Sequence, residues 1–218
     1  GIYSLAQKLG TAIHLFITSS FQSAFEPRRF EIVKHDGAKE TFNKIFIFHT
    51  LVMVVTGLIL SIYIPELLAL IVTPEFYVAG KYVPLIIFSM VLFGLRNHFE
   101  FGILWSKKTK YFAYINGVMS VVNLVFNAIF ISTFGLWGAI YSATLTIIIH
   151  DFLIYIISKK YYNIKFDFSR IFKLISLAIF IYCVSLTVSS DSIAMSILLK
   201  LILVFAFVCL VFLTRIVP

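Results

Sequence analysis

From Tyr111 to Phe134 the chain carries no charged residue. A helix of that length, rising about 1.5 Å per residue, reaches across a bilayer core of about 30 Å. In hydrocarbon, every backbone N–H and C=O must be met within the protein. The run therefore demands a helix embedded in a membrane. Yet Asn116, Ser120, Asn123 and Asn127 recur at steps of four, three and four, which draws one polar line down one face. A second apolar run opens almost at once, after Phe134-Gly135-Leu136-Trp137-Gly138. The stretch from Tyr111 to Thr144 reads as a tight helical hairpin. Its amide line faces a cavity or a neighbouring helix, not lipid.

The rest of the chain follows the same rule. It is 61% hydrophobic and 13% charged, about half the charge of a soluble domain, so the fold class is all-α integral membrane. Seven spans are expected, at Ile2–Phe25, Ile45–Ile64, Tyr82–Leu104, Tyr111–Ser132, Leu136–Ser158, Ile171–Val188 and Ile193–Val217. Positive charge collects in alternate connections. Arg28, Arg29, Lys34, Lys39 and Lys44 follow the first span, Lys107, Lys108 and Lys110 the third, and Lys159, Lys160, Lys165, Arg170 and Lys173 the fifth. Arg215 follows the seventh. Of the other connections, one holds Lys81 with Glu66 and Glu75 and another holds only Asp191. Basic loops stay on the cytoplasmic side, which places Gly1 outside and the C-terminus inside. The net charge of +8 belongs to these loops, and no nucleic-acid partner is expected. The long Glu26–Lys44 connection mixes signs and is expected to form a surface helix on the headgroups.

Polar residues inside spans are costly and turn toward the bundle interior or water. Span one carries Ser4, Gln7, Thr11, His14, Thr18 and Gln22 at steps of three and four, with Lys8 beside them. Such a stripe lines a wet cavity or bonds neighbouring helices; Lys8 snorkels to the interface or meets an anion. Span three ends on Leu95-Arg96-Asn97-His98-Phe99-Glu100. Arg96 and Glu100 stand one turn apart and are able to pair. Arg96 also has the planar fork that grips phosphate oxygens. Asp151, after Ile149-His150, pairs with a lysine or couples a cation. Gly138, Ala139, Ser142 and Ala143 allow close helix packing. Lys200 is expected to snorkel, and Cys183 and Cys209 to be small core residues. No nucleotide-binding, metalloprotease, nucleophile-elbow or Cys-x-x-Cys motif occurs. No nucleophile has a base and an orienting partner nearby. An enzyme is not expected, nor any metal or cofactor.

Gly1-Ile2-Tyr3-Ser4-Leu5-Ala6-Gln7-Lys8-Leu9, Phe25-Glu26-Pro27-Arg28-Arg29-Phe30, Ser106-Lys107-Lys108-Thr109-Lys110, Asn123-Leu124-Val125-Phe126-Asn127 and Phe134-Gly135-Leu136-Trp137-Gly138-Ala139 with Ala143-Thr144 resemble, in order and spacing, the C-terminal lobe of prokaryotic polysaccharide-export flippases of the MATE-like (MOP) superfamily. Ser132-Thr133 stand where that family often has proline. The resemblance spans nearly the whole chain and implies an O-antigen-type flippase in the bacterial cytoplasmic membrane. It implies five helices of the transport lobe at 1–158 and two additional helices at 159–218, with the N-terminal lobe of the same protein as a partner. The start without Met, at Gly1, fits a piece of a longer chain. The implied cargo is a polyprenyl-diphosphate-linked oligosaccharide, moved by alternating access in a membrane-lipid setting, with a proton or sodium as coupling ion. Candidate anion contacts are Lys8, Arg28, Arg29 and Arg96. Candidate glycan contacts are Gln7, Thr11, His14, Gln22, Asn116, Asn123 and Asn127. Glu100 and Asp151 are the coupling candidates. A cation-coupled multidrug exporter of the same fold is the alternative; a membrane-embedded glycan polymerase would need a larger external loop than Pro65–Lys81.

Overall fold

The computed structural model describes residues 1–188, 193–214 and 216. They form helix α1 (Ile2–Ile13), a π-helical turn (His14–Thr18), α2 (Ser19–Ile32), α3 (Ala38–Ile71), a 3-10 segment (Pro74–Lys81), α4 (Val83–Phe99), α5 (Phe101–Trp105), α6 (Lys110–Phe134), α7 (Leu136–Tyr161), α8 (Phe168–Thr187) and α9 (Ile193–Leu213). Among the described residues there is no strand. Six stretches are long and apolar enough to cross a membrane: Ala38–Ile71, Val83–Trp105, Lys110–Phe134, Leu136–Tyr161, Phe168–Thr187 and Met195–Leu213. The chain is a multi-pass, all-helical membrane protein.

The first expected span is helical throughout, but the π-turn divides it. There the Ser19 N–H reaches back to the His14 carbonyl. The wider turn takes in an extra residue and rotates everything after it relative to α1. The polar stripe of span one is therefore split between two faces. α2 then runs on to Ile32, and α3 starts at Ala38 behind Gly37, whose φ of 79° turns the chain. The expected surface helix over Glu26–Lys44 is absent; the segment is the ends of two long helices and a turn. The outer connection is shorter too, because α3 continues through Pro65 to Ile71.

α4 is the hub. It packs against α1, α3 and α7, and α8 closes over α3. The core they share includes Ala6, Ile13, Phe46, Met53, Leu58, Val83, Ile87, Ile140 and Leu174. α6 packs chiefly on α7 and stays at the edge. A second aromatic core of Phe25, Ala38, Phe42, Phe101 and Ile164 ties the α2–α3 turn, α5 and the segment after α7 together. The Asp167 N–H donates to Asn43 Oδ1 at 2.8 Å, and Lys39 lies 5.6 Å over the Tyr162 ring. The basic segments after α2 and after α7 thus meet at one end of the bundle. Arg215 and Asp191, counted in the charge pattern, lie outside the described residues.

Two expectations are corrected. Lys200 does not snorkel: its side chain is 8% exposed and pairs with Glu66 at 2.5 Å, pinning α9 to α3. A lysine this deep needs a carboxylate, and Glu66 is available because α3 extends past Ile64. Cys183 is exposed and Cys209 half-buried. Helices at the rim of a membrane bundle turn apolar residues outward, so an apolar run does not mark the core.

Candidate functional site

The pentad Arg96-Asn97-His98-Phe99-Glu100 closes α4 and enters α5. Successive residues of a helix point about 100° apart, so a run of polar residues at a hub addresses every neighbour at once. Arg96 Nε donates to Asp151 Oδ1 of α7 at 2.7 Å, and its guanidinium lies 4.6 Å over Phe93. Asn97 Oδ1 accepts from Gln22 Nε2 of α2 at 2.5 Å. His98 Nε2 sits 2.9 Å from His49 Nδ1 of α3. Phe99 packs edge-on against Tyr155 of α7. Glu100 Oε1 accepts from Arg29 Nη1 of α2 at 3.4 Å. Arg96 and Glu100 are thus not each other's partner. Each satisfies a charge on another helix, because the intrahelical pair would leave Arg29 and Asp151 buried and uncompensated.

The structure joins several candidates into one chain of contacts. Asp151 stands 3.7 Å from His150 Nδ1, and His150 Nε2 is 2.8 Å from Asn116 Oδ1. His14 packs edge-on against Phe93 at 5.2 Å between centroids, the same ring that carries Arg96. His14, Phe93, Arg96, Asp151, His150 and Asn116 therefore form a continuous line across the π-turn, α4, α7 and α6. Gln7 and Thr11 lie half-buried beyond it on α1, and Lys8 is exposed. The Thr11 hydroxyl donates to the Lys8 carbonyl at 3.0 Å.

Other candidates are committed to packing. Asn123 Nδ2 donates to Thr146 Oγ1 at 3.1 Å, Asn127 Nδ2 to Asn123 Oδ1 at 2.9 Å, and Ser142 Oγ to Asn127 Oδ1 at 2.6 Å. The amide line of α6 thus laces it to α7. Thr18, which ends the π-turn, and Gln22 of α2 are turned to α3 and α4. Arg29 is 4% exposed.

Arg28 is exposed and helps line a groove of about 460 Å³ between α2 and α3, walled by Phe21, Phe25, Ile45 and Phe48 together with the exposed Lys44. It is an apolar trough whose lining includes two cations and no acidic residue. Sequence reasoning missed Lys44 as a partner of Arg28, and missed His49 altogether. Arg28 and Lys44 stand sixteen positions apart in the sequence, and the α2–α3 turn brings both to one groove.

The MatE family model matches residues 28–129. The match runs from the end of α2 through most of α6 and takes in the pentad and the groove residues Arg28, Ile32, Lys44, Ile45 and Phe48, but not Phe21, Ala24 or Phe25. No curated protein and no solved structure matches the chain. The stretch similar to the MatE family covers a little under half of the sequence.

Proposed function

We propose that the chain is part of a membrane transporter of the MATE-like superfamily. Its cargo is an amphiphile with an anionic head, and a polyprenyl-diphosphate-linked oligosaccharide fits that description best. The reading rests above all on the groove between α2 and α3. Its apolar walls suit a hydrocarbon chain, and Arg28 and Lys44 suit a diphosphate. The sequence resemblance and the MatE match over residues 28–129 agree with it.

In this reading Lys8, Arg28 and Arg96 meet the charged head, and Arg29 joins them when its pair with Glu100 opens. Gln7, Thr11, His14 and Asn116 solvate sugars. Gln22, Asn123 and Asn127 contribute only if the helix contacts they make are exchanged during the cycle. Glu100 and Asp151, each held by an arginine, change partners as the two lobes rock. The segment at 159–218 supplies the two additional helices, and the N-terminal lobe closes the cavity from outside this chain. A multidrug exporter is the second reading. Against it, the half-buried Glu66 and Glu100 and the buried Asp151 are all paired with a base, which leaves a cationic drug no free carboxylate among them.

The test is a paired substitution at two exposed positions, Arg28→Gln with Lys44→Gln, in the full-length protein. Each charged hydrogen bond to phosphate contributes about 1.5–3 kcal/mol, so cell-surface polysaccharide should fall about tenfold or more at unchanged protein level. Unchanged polysaccharide would remove the groove from the mechanism. Lost export of a cationic dye, with polysaccharide intact, would favour the drug exporter.

A further inference from the structure

α3 and α4 bring two histidines into contact inside the bundle. His49 Nδ1 lies 2.9 Å from His98 Nε2, and the residues are 2% and 3% exposed. At that distance one ring donates and the other accepts. The outward nitrogens, His49 Nε2 and His98 Nδ1, are buried and meet no hydrogen-bond partner among the described residues. A neutral pair holds two protons on four nitrogens. Whichever ring donates, one outward N–H and one outward lone pair remain. That lone pair is a place for a third proton, which gives a singly charged pair joined through the bridge.

The surroundings of the pair are largely aromatic. Phe21 stacks on His49 at 3.7 Å, and Phe46 and Phe25 stand 5.3 and 5.7 Å from His98. These rings offer the buried outward nitrogens no hydrogen-bond acceptor. The charged groups of α2 and α4 around the pair are already matched. Arg29 of α2 holds Glu100 and lies 4.0 Å from Glu26, and Arg96 of α4 holds Asp151 of α7. On the remaining side, Tyr155, Ser158 and Lys159 of α7 and Tyr162 after it line a small cavity beside His98. Its volume of about 10 Å³ is room for about one water molecule. It lies toward the basic end of the bundle and marks the side from which water can arrive.

We propose that His49 and His98 form a proton-binding site that couples one proton to the opening of the α2–α3–α4 packing. The neutral pair fits the packed arrangement described above. The charged pair needs an acceptor at both outward N–H groups, which the packed arrangement withholds and water would supply once the helices part. The two arrangements therefore bind the proton with different affinity, which is the condition for a proton to shift their populations. The proton comes from water and returns to water; no other bond changes. The role in coupling rests on the transporter reading, while the proton site itself does not.

The experiment is ring ¹⁵N spectroscopy of the histidine-labelled full-length protein in lipid nanodiscs, titrated from about pH 9 to about pH 4. Signals are assigned with His49→Gln and His98→Gln. The unmodified protein is expected to take up one proton shared between the two rings in a single linked step. Replacing either ring should move the other's midpoint by about one pH unit or more. Phe21→Ala, which uncovers His49, should raise the proton occupancy of the pair at a given pH. Two rings that stay neutral throughout, or that titrate independently, overturn the site whatever the cargo is. A His98→Gln protein that still exports polysaccharide with the wild-type pH dependence overturns the coupling role and leaves the transporter reading standing.

Discussion

Replacing Gly138 with alanine should split the α6–α7 hairpin. A Cβ at Gly138 would fall 1.9 Å from the Phe130 carbonyl oxygen, 2.3 Å from its carbon and 2.8 Å from the Ile131 nitrogen. All three are backbone atoms, so no rotamer change relieves the contact. The helices would have to part by about 1.5 Å to restore an ordinary 3.4 Å approach. The Ser142–Asn127 bond, one turn along, would stretch toward the limit of a hydrogen bond, and the Asn123–Thr146 bond would lengthen behind it. Overpacking of this kind costs about 1–3 kcal/mol, and each interhelical hydrogen bond in a membrane contributes about 0.6 kcal/mol. The expected loss is about 3 kcal/mol, or roughly 150-fold in the unfolding constant. Gly117 on α6 provides the control, since a Cβ there meets nothing within 4 Å. Alanine at that position should stabilise by about 0.5–1 kcal/mol through reduced backbone entropy. Reversible unfolding in mixed detergent micelles, followed by the fluorescence of Trp137 beside the turn, measures both. A Gly138→Ala protein within about 0.5 kcal/mol of the wild type would refute the close-approach argument.

The buried charges give two further tests. Glu66→Gln leaves the ammonium of Lys200 buried without its counter-charge, and should destabilise the protein by about 3–5 kcal/mol while Glu66→Gln with Lys200→Met recovers most of the loss; thermal unfolding in nanodiscs reads the difference. Asp151→Asn should cost less, because Arg96 is about one-fifth exposed and water screens it. A double-mutant cycle with Arg96→Gln should return a coupling energy of about 1–2 kcal/mol, and a value near zero would mean the 2.7 Å contact contributes nothing to stability.

Much of the fold was legible in the sequence because a bilayer leaves few choices. Runs such as Tyr111–Phe134 have to be helical, and the spacing of basic residues marks the ends that the structure gathers on one side. The Phe134–Gly138 turn was equally plain, since Gly135 takes φ 56° and Gly138 touches backbone. The site was less legible, and the pentad shows why. Helical periodicity pairs Arg96 with Glu100, but periodicity counts only neighbours on the same helix. The structure sends Arg96 to Asp151 across 55 positions and Glu100 to Arg29 across 71. Such choices depend on which helix lies against which face.

Two local events moved the remaining residues. The π-turn at His14–Thr18 adds one residue to a turn, which leaves His14 near Phe93 and Arg96 and swings Thr18 and Gln22 into the packing. The extension of α3 past Ile64 carries Glu66 under Lys200. Neither event changes the average hydropathy or the spacing of charges that a linear reading detects. The sequence by itself determined a helical membrane bundle, its alternating charge and its tightest turn, because those follow from backbone satisfaction in lipid and from glycine's missing side chain. Only the tertiary structure decided which polar groups meet, because in a water-poor interior each buried charge or ring nitrogen takes whatever partner helix packing places within about 3 Å.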